Sequence, residues 1–88
     1  MHRVIKDKDV FYEEFPFAYS VTDFANSNSE FHWWFDECIL DGDGSYVIFF
    51  KSYITPEYKD FLLVVRATKI NDSYDFKITK KVTTLSSD

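Results

Sequence analysis

From Asp9 to Phe50 the chain runs for 42 residues without a lysine or an arginine. Nine carboxylates fall in that stretch: Asp9, Glu13, Glu14, Asp23, Glu30, Asp36, Glu37, Asp41 and Asp43. Residues 1–8 and 51–88 each carry a net charge of +2. A fold must do one of two things with these acids. It brings the C-terminal cations against them, or it turns them to water on a shared surface. The second outcome creates a negative field reaching about one Debye length, ~8 Å at physiological salt. Such a field repels nucleic acid and anionic membranes and attracts a basic protein surface.

The length of 88 residues suits one domain, predicted over residues 1–85 with a frayed tail at 86–88. A chain this short buries roughly 60–65% of its unfolded surface. Its core stock is aromatic, with ten Phe, six Tyr and two Trp. Each such ring buries about 150–250 Å², so a few of them fill a small core and the surplus must reach the surface. Cys38 is the only cysteine, which excludes an intrachain disulfide. The N-terminus lacks the basic, apolar and small-residue pattern of a secretory signal. The longest apolar runs, near 46–50 and 61–65, are far shorter than the ~20 residues of a membrane helix. These features predict a cytoplasmic protein, in a host cytoplasm if its origin is viral.

The local patterns predict an α+β fold with an antiparallel sheet of about four strands. Residues 2–6 read as an edge strand. Asp9 caps a short helix over 10–15, which Pro16 stops. The alternation of Phe17, Tyr19 and Val21 predicts a strand. Phe31, Trp34, Phe35, Cys38 and Ile39 recur at helical spacing, and Ser27 with Glu30 forms a capping box. Together these predict one main helix over 27–40, packed on one face of the sheet. The rival is a strand over 31–40 paired with 45–54, which would make the fold all-β. Residues 46–54 and 61–70 read as strands, and Thr55-Pro56-Glu57 as a helical turn. Asn71-Asp72-Ser73 reads as a hairpin turn before a last strand. Tyr74, Phe76, Ile78 and Val82 of that strand face inward.

The chemistry-bearing patterns mostly exclude functions. Asp41-Gly42-Asp43-Gly44 resembles a calcium loop only at its start. An EF-hand numbered from Asp41 would need glycine at Tyr46 and glutamate at Ser52. A phosphate loop needs a lysine that is absent here. The stretch reads as a turn. His32, Asp36 and Cys38 are too few for a structural zinc site. Cys38 has no electropositive setting to make it a nucleophile. The pairs Glu13-Glu14 and Asp36-Glu37 are adjacent and do not share a helix face, so they form no acid/base dyad. Asn71-Asp72-Ser73 matches a glycosylation sequon, which carries meaning only for a secreted chain. The cations are scattered, with no basic stripe for nucleic acid. No catalytic residues, metal ligands or cofactor are assigned.

What remains is a non-enzymatic binding protein. In the helical reading Trp33 stands off the apolar stripe among acids, as an anchor in a binding patch does. The partner-binding set is then Trp33, Glu13, Glu14, Glu30, Asp36, Glu37, Asp41 and Asp43. The expected partner is a basic protein surface. One that handles nucleic acid, such as a nuclease, would be inhibited in the manner of a nucleic-acid mimic, an anti-defence protein or an immunity protein. The alternative is a structural or assembly module that oligomerises, as a homodimer for example, through exposed aromatics or a sheet edge.

Overall fold

Residues 34–40 decide the fold class, and they are extended. A computed structural model describes residues 3–27, 31–52 and 61–83. The elements are β1 (Arg3–Ile5), α1 (Lys8–Glu14), α2 (Ala18–Ser27), β2 (Trp34–Leu40), β3 (Tyr46–Lys51), β4 (Leu62–Ile70) and β5 (Ser73–Val82). The strands form one antiparallel sheet in the order β1-β2-β3-β4-β5. The class is α+β, with five strands rather than about four and two helices on one face of the sheet.

The main helix expected over 27–40 is therefore replaced by the end of α2 and by β2. The rival pairing with β3 is the one formed, and the two helices keep the fold from being all-β. A β-bulge explains why the pattern misled. Phe35 pairs with Phe50 and Glu37 with Phe49, leaving Asp36 as the extra residue. The bulge shifts the phase of alternation, so Trp33, Phe35, Cys38 and Leu40 point toward the helices. Their spacing of two, three and two residues is neither a clean strand period nor a clean helix period.

The strand expected from Phe17 to Val21 is a helix. Ala18, Val21 and Ala25 of α2 are buried, at spacings of three and four residues. The hydroxyl of Thr22 donates to the Ala18 carbonyl at 2.9 Å, which accommodates this β-branched residue inside the helix. The cap of α1 is Asp7, not Asp9. Asp7 Oδ1 accepts from the backbone N–H of Asp9 at 2.8 Å and of Val10 at 3.4 Å. Asp9 instead sits in the first turn, where the helix dipole favours a carboxylate. The stop before Pro16 holds: Phe15 is extended at φ −95°, ψ 110°, as a residue preceding proline must be.

The core lies between the helices and one sheet face and is largely aromatic. Phe11 stacks on Phe35 with ring centres 4.3 Å apart, and Phe15 stacks on Tyr46 at 4.2 Å. Tyr74 meets Phe15 edge-on at 5.0 Å, and Phe24 meets Phe76 at 5.7 Å. The last strand is less covered than expected. Ile78 is 43% exposed, and Tyr74 and Phe76 are only half-buried. Val82 does not face inward as expected: a second bulge, between Val64 and Val65, shifts the phase, and Val82 pairs with Leu62 on the face away from the helices. The β4–β5 hairpin runs past the end of β3, and Asn71 turns it at φ 54°, a left-handed angle that Asn tolerates. Residues 53–54 of the expected strand, the turn expected at 55–57 and the tail at 86–88 lie outside the described residues.

Candidate binding groove

Two adjoining depressions, of about 450 and 280 Å³, lie on the helical layer and share Lys8 and Tyr12. The larger is lined also by Asp9, Glu13 and Tyr19, the smaller by Asp23, Asn26, His32 and Trp34 among others. Together they form a groove running from α1 and α2 to the start of β2. Helical periodicity builds the first half. Phe11 and Phe15 turn inward, which leaves Asp9 and Glu13 on the outer face of α1. Tyr12 lies between, its hydroxyl 2.9 Å from that of Thr22 and its ring 4.6 Å from that of Tyr19. Tyr19 is 73% exposed, far more than a ring of its size needs to be for packing.

Asn26 builds the second half. Its side-chain oxygen accepts from the Trp33 N–H at 2.7 Å, and its nitrogen donates to the Trp33 carbonyl at 3.3 Å and the Thr22 carbonyl at 3.0 Å. The two bonds to Trp33 are those that a neighbouring strand would make. They tether the chain entering β2 to α2. They also turn Trp33 inward, where it is 1% exposed, and leave Trp34 47% exposed at the groove's end. His32 lies edge-on to Trp34 at 4.6 Å.

Trp33 is thus a core residue, which corrects its expected place on the surface. The anchor position falls one residue later, at Trp34. The bulge and the Asn26 tether reverse the inside and outside of this stretch relative to the helical reading. The acids of the expected set lie in several places. Glu13 lines the groove. Glu14 forms a two-pronged ion pair with Arg3 on β1. Asp36 lies 3.8 Å from Lys51, and Asp41 lies 3.2 Å from Arg66. Asp43 accepts from the backbone N–H of Ser45 at 2.9 Å, which holds its carboxyl below the usual range. Glu37 lies on the other face of the sheet, and Glu30 is outside the described residues. The C-terminal half therefore supplies counter-charges to two of these acids.

The Asp41–Gly44 stretch is a turn. Asp41 N–H donates to the Ser45 carbonyl at 2.8 Å, and Gly44 takes φ 90°, a conformation open to glycine. Cys38 is buried beneath the helices, and burial pushes its thiol up to about 12. It is a packed side chain that stays protonated at neutral pH. Among the described residues no three His, Cys, Asp or Glu side chains converge on a metal position. No helix among them is long and apolar enough to cross a membrane.

The groove residues that the sequence reading missed are Asp9, Tyr12, Tyr19, Asp23 and Trp34. Reading Ala18, Val21 and Ala25 as a helical stripe would have put Tyr19 on the outside; Trp34 had no such signal. Comparison with protein-family models, curated proteins and solved structures finds no match for this chain. The chemistry of the groove is an electron-rich one. Tyr12, Tyr19 and Trp34 share the lining with Asp9, Glu13 and Asp23 and, among the described residues, with one lysine, Lys8. A guanidinium or ammonium group can stack on such a ring while pairing with a carboxylate.

Proposed function

We propose that the protein acts by binding rather than catalysis, and that the groove receives cationic side chains of a basic partner protein. The observation that carries this reading is the pairing of exposed rings with carboxylates. Tyr19 and Trp34 stand open to solvent, and among the described residues Asp9, Glu13 and Asp23 form no ion pair. Arginine fits the site best, because its planar group stacks and hydrogen-bonds at once. A partner that holds nucleic acid on the same basic site would be blocked, which gives the reading its specific form as an inhibitor of a nucleic-acid-handling protein. The reading invokes no cofactor or metal. The lone buried thiol suits a reducing compartment such as the cytoplasm.

A fluorescence titration tests it. The probe is a short arginine-rich peptide, with a glutamate-rich peptide of equal length as control. Binding of the arginine peptide should shift the emission of the exposed Trp34. Tyr19→Ala and Glu13→Lys should each weaken it about tenfold, the scale of one desolvated cation–π or charge contact. Equal response to both peptides, or indifference to both substitutions, would remove the groove from the proposal.

A further inference from the structure

The sheet face turned away from the helices is apolar at its centre and bordered by charge. Residues paired across antiparallel strands share a face, so the register places side chains in rows. One row runs Val4, Ile39, Val47, Arg66, Lys77 from β1 to β5; the next runs Glu37, Phe49, Val64, Lys80 from β2 to β5. No described helix or strand lies across them. Val4 is 50% exposed, Ile39, Val47 and Phe49 are half-buried, and Val64 on the central strand is 8% exposed.

We propose that this face is the contact surface of a homodimer, with two copies packed sheet on sheet about a two-fold axis parallel to the strands. The charge order selects the occupant. Glu37-Phe49-Val64-Lys80 reads acid, apolar, apolar, base, and such a row is complementary to its own reversal. An axis parallel to the strands reverses it. Glu37 of each copy then meets Lys80 of the other, and Phe49 meets Val64. In the adjoining row Val47 and Ile39 meet Arg66 and Lys77, whose aliphatic stems cover apolar surface while their heads reach water. The other in-plane axis, across the strands, would set Glu37 on Glu37 and Lys80 on Lys80, which like charge disfavours. Aligned packing of two twisted sheets, about 30° apart, keeps the central contacts in register. This inference rests on the sheet face alone and is independent of the groove.

Charge reversal tests it. Sedimentation velocity is run on the full chain from about 1 to 200 µM, a range that brackets weak and ordinary specific association. The wild type should form a dimer. Glu37→Lys and Lys80→Glu should each raise the dissociation constant about tenfold or more, and the double reversal should return it to within about threefold of wild type. Within one chain the two side chains stand three strand spacings apart, about 14 Å, so rescue reports a contact between copies. Phe49→Asp should weaken the dimer about thirtyfold or more, with circular dichroism confirming the fold. A wild type that stays monomeric through the range overturns the proposal and leaves the face to a different protein. A dimer indifferent to Phe49→Asp, or single reversals that the double does not rescue, overturns it equally.

Discussion

Asn26 is the side chain on which both the core and the groove depend, and replacing it gives the sharpest test of the fold. It makes three hydrogen bonds, two to Trp33 and one to Thr22, in a half-buried position. A net hydrogen bond contributes about 1 kcal/mol, and stranding a buried backbone N–H costs about 1–3 kcal/mol. Asn26→Ala should therefore destabilise the protein by about 2–4 kcal/mol, a large part of the total for a domain of this size. With a urea slope of about 1 kcal/mol/M the midpoint falls by about 2–4 M. Asn26→Asp keeps the acceptor for the Trp33 N–H but turns a carboxylate oxygen toward two carbonyls. At neutral pH it should be at least as damaging as alanine, and it should recover part of the loss below about pH 4, where the carboxyl regains a donor. Urea unfolding followed by tryptophan fluorescence reads both effects. An alanine variant within about 0.5 kcal/mol of wild type, the range of ordinary surface changes, would refute the tether. So would an aspartate variant that tolerates neutral pH as well as asparagine does.

Two further outcomes follow from the ionisable groups. Burial raises the Cys38 thiol from 9.0 to about 12, so the folded state holds a proton that the unfolded state releases. Stability should fall as pH rises through about 9 toward 12, and Cys38→Ala should reduce that slope, leaving the part due to Tyr46 and Tyr74, which burial also raises. In the native protein the thiol should react with a soluble alkylating reagent far more slowly than in urea; equal rates would contradict its burial. The Glu14 carboxyl is held below its usual 4.5 by its hydrogen bond with Arg3. Its contribution is present above that usual value and is lost as pH falls through the folded value, so Glu14→Gln should flatten the acid limb of the thermal-stability profile. An unchanged acid limb would show that the pair contributes nothing.

The legible parts of the fold were those with one dominant signal. Pro16 ended α1, Asn71 and Asp72 turned the last hairpin, and the β-rich runs at 46–51 and 62–70 formed strands. The failures came from positions where two signals overlapped. Val21 belongs both to an alternating series with Phe17 and Tyr19 and to a helical series with Ala18 and Ala25. The sequence carries no local preference strong enough to choose between them. The bulge at Asp36 broke the alternation of β2, and bulges answer to the partner strand rather than to local composition. The acids were legible as a segment but not as a surface. Lys51 comes from β3, the neighbour of β2, and Arg66 from β4, one strand further, so their pairing with Asp36 and Asp41 depends on topology.

The most direct test of the groove is a two-dimensional NMR titration of the isotope-labelled protein with the arginine-rich peptide. We expect shifts at the Trp34 indole, at the Tyr12 and Tyr19 amides and at Asn26, with Val47 and Phe49 on the opposite sheet face unmoved, and the shifts fading at about 0.5 M salt, where the Debye length is only a few ångström. Perturbations centred on the open sheet face, or spread evenly over the molecule, would contradict a cation-binding groove on the helical layer.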